Sequence, residues 1–240
     1  MTTPAGAAEP FDLRTTPNPL IRTAGRALGA LNARHPWDHN HHFHGWILRS
    51  LPPRAQRALD VGCGRGDLVA ALRGRVPEVD GIDPDPTMAA AAAERFAPIG
   101  RVRIRSLRLD ELDPSRERYD VVTMVASLHH MDLEEALTQV RALLRPGGRL
   151  LVAALVRPET AADHAWDVAG ALSNPVIGLI KHPRPARGGG GDPQMPVRDP
   201  ATGITELRRT ARRILPGARV RRREGFRVTL FWEAPPAEGR

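Results

Sequence analysis

The stretch LDVGCGRGDL, Leu59 to Leu68, limits the folds open to this chain more than any other. Three glycines, Gly62, Gly64 and Gly66, follow an apolar run directly and lead into a segment with helical spacing. Such a turn of bare backbone lets an α/β fold bring main-chain N–H groups and a helix N-terminus up to a nucleotide-like ligand. A dinucleotide turn reads GxGxxG, in which the third glycine lets the helix pack closely on the strand beside a pyrophosphate. Here the spacing is GxGxG, and Asp60 stands just ahead of it in the strand. A carboxylate is unwelcome beside a pyrophosphate but compatible with a ligand that carries positive charge, so an NAD oxidoreductase ranks last.

The surrounding pattern agrees with an α/β sheet. RALDVG (57–62) reads as a strand, Asp67 to Arg73 as a helix, and EVDGID as a second strand. A helix opened by Asp85 and Pro86 follows, then strands at RVRIR and at YDVVTMVA (119–126). Asp132 with Glu135 forms a capping-box pattern ahead of a helix with Leu133, Ala136, Leu137, Val140 and Leu144 inward; RPGG stops it before the strand RLLVAALV (149–156). Strands alternating with helices predict a Rossmann-like, seven-stranded, mostly parallel sheet with helices on both faces. The end differs: ITELRRTARRIL is a helix, and ARVRRRE and FRVTLFW are strands close enough for an antiparallel hairpin. Phe226, Val228, Leu230 and Trp232 alternate, so one face of the last strand is expected to be buried.

Four segments follow. Residues 1–55 hold a helix opened by Asn18 and Pro19, with Ile21, Ala24, Leu28 and Leu31 on one face, and a short helix near Ile47 to Leu51, together a gate over the ligand. Residues 56–156 are the binding core, and 204–240 complete the sheet. Residues 157–203, with the glycine-rich KHPRPARGGGGDPQMP, are too long for an ordinary connection and read as a cap or flexible insertion.

Composition excludes several classes. The only cysteine, Cys63, rules out an intrachain disulfide and a thiolate zinc site. No apolar run is long enough to cross a bilayer, and residues 1–19 lack the pattern of a secretory signal, so a cytoplasmic protein is expected. The formal charge of +8 would point to nucleic acid, but all but one of the 35 basic residues are arginine, a skew that codon composition explains as well. Aromatic residues for stacking on bases make up only 4%. The arginine runs 208–213 and 221–223 read as a solvated face.

Taken with GIDPD, YDVVTMVASLHHM and ALLRPGGRLLVA, the glycine turn resembles the class I S-adenosylmethionine-dependent methyltransferases over about residues 56–156. The resemblance implies S-adenosylmethionine as cofactor, with Asp60, Gly62, Cys63 and Gly64 around its amino-acid end. It also implies that Asp83 accepts hydrogen bonds from the ribose hydroxyls, flanked by Pro84, and that Val125 lines the site at the end of the fourth strand. An acid about 20 residues beyond the first glycine suits the ribose role. The family's adenine-binding acid, counted back from Asp120, falls near Arg108, and the nearest acid is Asp110. His129 and His130 lie just beyond the fourth strand, where either can serve as a base for an oxygen or nitrogen nucleophile. The alternative is that they pack or hydrogen-bond beside the cofactor. His35, His39, His41, His42 and His44 lack a supporting Cys or Glu pattern, so no metal is expected. The leading reading is methyl transfer to a small-molecule acceptor, with neither nucleic acid nor membrane as partner. An RNA or protein methyltransferase and a non-catalytic cofactor-binding regulator stay open, as does the oligomeric state.

Overall fold

The structure is a computed structural model that describes Thr23 and residues 39–97, 99–181, 200–224 and 227–237. It divides into two compact units, Asp38–Pro158 with Met195–Arg240, and Met1–Trp37 with Glu159–Gln194. The expected helix from Asn18, His35 and the glycine-rich run lie outside the described residues.

In the larger unit a helical turn at His39–His42 leads to α1 (His44–Arg49). Then follow β1 (Arg57–Val61), α2 (Asp67–Leu72), β2 (Glu78–Ile82), α3 (Pro86–Phe96), β3 (Val102–Arg105) and β4 (Tyr119–Val125). The chain continues through α4 (Leu133–Leu143) and β5 (Leu144–Leu155). In the smaller unit lies α5 (Ala161–Lys181); the larger resumes with α6 (Ile204–Ile214), β6 (Arg219–Arg223) and β7 (Arg227–Glu233). The seven strands form one sheet in the order β3-β2-β1-β4-β5-β7-β6. Strands β1 to β5 pair in parallel, and β7 runs antiparallel to both β5 and β6. This is the expected architecture, with a single reversed strand near its edge.

Local chemistry explains the elements. Asp85 caps α3 by accepting from the N–H groups of Thr87 (2.8 Å) and Met88 (3.3 Å), with Pro86 at the first helical position. Asp132 caps α4 through the N–H of Glu135 at 2.9 Å. Both helices start where those residues relieve their orphan N–H groups. The two sheet faces carry separate apolar clusters. Leu59, Val122, Leu150, Leu230 and Trp232 meet Leu137, Val140 and Leu207 from α4 and α6; Ala58, Val121 and Leu151 meet Ile47, Val69 and Phe96 from α1, α2 and α3. Each fully buried Leu, Ile or Val contributes about 1.5–3 kcal/mol, so the faces rather than helix propensity hold the layers.

One expectation needs correcting. RPGG does not separate helix from strand: β5 already begins at Leu144, and these residues form an irregularity inside it. The pairing steps from Tyr119↔Leu144 to Val121↔Arg149, Gly147 takes φ +73°, and Arg145 binds Asp120 at 3.0 Å. Helical pattern ends here because the chain enters the sheet at once. Within the insertion 157–203, read from sequence as a cap or flexible link, lies the 21-residue α5, opened by a reciprocal cap. The Thr160 hydroxyl accepts from the Asp163 N–H (3.2 Å) while the Asp163 carboxylate accepts from the N–H of Thr160 (2.9 Å). The ends of this insertion meet, the Arg157 N–H donating to the Thr202 carbonyl at 2.9 Å. Val228, Leu230 and Trp232 are buried as expected; Phe226 lies outside the described residues.

Candidate functional site

The glycine turn leaves the C-terminal end of β1 and is held from both sides. On the β2 side, the N–H groups of Gly62 (2.8 Å) and Cys63 (3.0 Å) donate to the Ile82 carbonyl. On the β4 side, the Ser127 hydroxyl donates to the Val61 carbonyl at 2.6 Å. Gly62, Gly64 and Gly66 have φ of +71°, +53° and +80°, a region open mainly to glycine. Space adds a second demand: a Cβ on Gly62 would overlap that of Ser127, and one on Gly66 would meet the Phe96 ring at 2.5 Å.

Two carboxylates stand behind this turn. Asp83, at the end of β2, accepts from the Gly64 N–H at 2.8 Å and the Asp85 N–H at 2.9 Å, one bond to each oxygen. An ionised carboxylate offers about four lone-pair sites, so acceptor capacity is left on both oxygens. Asp85, not Asp83, caps the following helix, as the sequence pattern implies. Asp60 is 3% exposed, and the Thr123 hydroxyl donates to its Oδ1 at 2.8 Å. Burial pushes the Asp60 carboxyl up to about 7; the Thr123 hydrogen bond opposes this and the charge of Asp83 adds to it.

Cys63 is buried, and burial together with the charges of Asp60 and Asp83 pushes its thiol well above the ordinary range. A thiol held protonated is no nucleophile, so Cys63 serves here as a small residue in a tight turn.

A cavity of about 350 Å³ opens beside the turn, lined by Val61, Gly62, Ile82 and Pro84 on one side. Arg108, Asp110, His130 and Met131 are among its other walls. Of the residues singled out from sequence, Gly62, Pro84, Asp110 and His130 therefore share one cavity. Asp60, Cys63, Gly64, Asp83 and Val125 are not among its lining residues; the first four neighbour one another around the turn, and Val125 ends β4. Asp110 lies within the β3–β4 connection, on a 3-10 turn, Leu109–Glu111. Its carboxylate is gripped bidentately by Arg108, at 3.0 and 2.9 Å, in an exposed pair. His129 and His130 occupy another 3-10 turn, Leu128–His130, with ring centroids 4.0 Å apart.

Sequence reasoning passed over Thr123 and Ser127. Both are small hydroxyl residues on or beyond a strand, and only spatial proximity to Asp60 and Val61 gives them a role. No group of three or more His, Cys, Asp or Glu able to hold a metal occurs among the described residues. His42 instead pairs with Glu224 at 2.7 Å, and the His41 and His44 rings lie 4.5 Å apart.

A family profile described as "Methyltransferase domain" matches residues 59–150. The chain is 34% identical over 207 residues to an uncharacterized methyltransferase of Mycobacterium tuberculosis, covering 83% of this chain and 98% of the relative. It is 38% identical over 104 residues to a ubiquinone biosynthesis O-methyltransferase of Rhodopseudomonas palustris, covering 42% of this chain and 40% of that protein. Among solved structures, an O-methyltransferase family protein from Burkholderia thailandensis superposes with a TM-score of 0.54 at 18% identity, over 92% of this chain and 62% of that one. The YcgJ protein of Bacillus subtilis does so with a TM-score of 0.50 at 19% identity, over 83% of this chain and all of its own. These two likenesses concern the fold.

Proposed function

Because the chain belongs to the class I S-adenosylmethionine-dependent methyltransferases, we propose that it transfers a methyl group to an oxygen, nitrogen or carbon nucleophile of a small-molecule acceptor. The observation that carries this reading is the glycine turn, with Asp83 bonded to Gly64, Asp60 buried nearby, and Gly62 lining a cavity of about 350 Å³. The donor set suits the cofactor. Asp83 keeps lone pairs for the two ribose hydroxyls, the open backbone of Gly62 to Gly64 admits the amino-acid end, and Asp60 faces positive charge with negative. Pro84, in the cavity wall, and Val125 supply apolar surface beside it.

S-adenosylmethionine brings a methyl group already activated on positive sulfur. The protein's tasks are therefore to exclude water and align the acceptor, which is worth more here than any acid or base. His130, in the cavity wall, and His129, its ring tilted against it with centroids 4.0 Å apart, are the candidates to take the proton that an oxygen or nitrogen nucleophile loses. Asp110 is the candidate partner of the adenine amino group, and in that role it would share its carboxylate with Arg108. A small-molecule acceptor is favoured by the likeness to the ubiquinone biosynthesis O-methyltransferase and by the exit sequence ASLHH. That sequence lacks the Asn/Asp-Pro-Pro-aromatic grip on a flipped base, and Cys63 is misplaced for cytosine C5 chemistry.

The test is calorimetric titration with S-adenosylhomocysteine, with NAD as control, followed by turnover assays across small phenolic, amine and carbon acceptors. One-site binding of the former alone and turnover of a small acceptor are expected. Heat with NAD alone would refute the cofactor assignment, and turnover only on RNA or protein would refute the acceptor class.

A further inference from the structure

Val61 is the last residue of β1, and its pairing with β4 ends at Val61↔Met124. Its carbonyl points on toward the next step of the ladder, where a strand would supply a backbone N–H. The structure supplies a side chain instead: the Ser127 hydroxyl at 2.6 Å. The substitution lets the main chain of β4 swerve. Ala126 takes φ +54°, the only non-glycine residue with positive φ among those described, and its N–H is given to the Ala153 carbonyl at 2.8 Å. A left-handed alanine persists only where its surroundings fix it.

Ser127 also faces two ways. Its Cβ occupies the space that a side chain at position 62 would need, so the Gly62 backbone is pressed against it. Its own carbonyl accepts the His130 N–H at 3.1 Å, closing the 3-10 turn that carries both histidines. One residue, 6% exposed, thus ties the glycine turn to the histidine turn.

We propose that Ser127 is a positioning residue that fixes the glycine turn for the cofactor and holds the His129–His130 turn at a set distance from it. The proposal rests on the reading that this turn holds S-adenosylmethionine. Without the hydroxyl, the Val61 carbonyl loses its partner and the turn loses its anchor on the β4 side, while the β2 anchor at Ile82 remains. The cofactor then meets a turn held on one side only.

The test uses Ser127→Ala and Ser127→Cys, the second keeping the volume with a much weaker donor. Affinity for S-adenosylhomocysteine is measured by calorimetry well below each Tm, together with the KM for S-adenosylmethionine and kcat on any acceptor found. Both variants are expected to bind about tenfold more weakly, with KM rising in parallel. A purely structural serine would lower Tm and leave the Kd of the folded protein unchanged. That result overturns the proposal, as does full affinity in Ser127→Cys, which would trace the effect to volume. Failure of the unaltered protein to bind S-adenosylhomocysteine would instead overturn the cofactor reading itself.

Discussion

Asp60 on β1 and Asp80 on β2 are alike in residue type, strand setting and burial, at 3% and 1% exposed, yet their surroundings treat them oppositely. Burial works to raise the pKa of both. Around Asp80 it is outweighed by hydrogen bonds from Arg103 and Tyr119 and by Arg57, so that carboxyl is held below its ordinary value. Arg57 Nη2 lies at 2.7 Å, Arg103 Nε and Nη2 each at 2.9 Å, and the Tyr119 hydroxyl at 2.9 Å. Glu117, gripped by Arg105 at 2.8 and 2.7 Å and by the same tyrosine, is held down to about 2. Around Asp60 the described residues supply one hydroxyl and no cation, and burial prevails. The β2–β3 region has completed its charges within the protein, which marks a structural site. The β1 carboxylate has no such partners among the described residues, and under the proposed function the positive charge of the cofactor supplies one.

This contrast can be broken in order of size. Asp80→Asn should cost about 3 kcal/mol of unfolding free energy in urea, because the buried carboxylate loses its charge-assisted hydrogen bonds from Arg57 and Arg103 while the glycine turn stays intact. A loss near zero would show that the pairs are ornamental. Asp83→Ala should leave the fold standing and weaken S-adenosylhomocysteine binding about 100-fold, two charge-assisted hydrogen bonds to ribose being lost. Near-native affinity in the folded variant would remove the ribose role. Asp60→Asn should act on stability with the opposite sign to Asp80→Asn. Between the ordinary carboxyl value of 3.8 and about 7, the unfolded chain has released this proton and the folded protein has not. Stability from this group therefore falls as pH rises through that window. Near pH 8 the asparagine variant should be more stable than the unaltered apo protein by about 2 kcal/mol but weaker in cofactor affinity, and near pH 4 equal to it in stability. Equal stability at both pH values would return Asp60 to the class of Asp80. The smallest effect is expected at the histidines. His129→Ala and His130→Ala should keep the cofactor Kd, while at least one lowers turnover about tenfold. Unchanged turnover in both would leave them as packing groups.

What could be read from the sequence was what lies close along the chain. Each helix cap, each strand and the whole glycine turn depend on neighbours within a few residues, and so Asp85, Asp132 and Gly62 declare themselves. Asp80, Arg57 and Arg103 are joined only by the register of parallel strands, which has no local mark. Ser127 is likewise an ordinary serine until β1 and β4 are laid side by side. The long α5 was hidden because Gly, Ser, Asn and Pro interrupt its pattern, and the RPGG irregularity because those four letters spell a turn. Asp110 was found by counting along the chain, but the guanidinium two residues before it, which claims its oxygens, was passed over.

The reversed strand has a consequence for assembly. During synthesis β6 emerges before β7, yet β6 bonds to nothing in the sheet except β7, which lies between it and β5. Until then β5 presents an open edge along Arg149 to Leu155, the seven positions that β7 later covers. The nascent protein is thus most prone to self-association in the interval between these two strands, and Trp232, entering with β7, closes both the edge and the apolar layer beneath it.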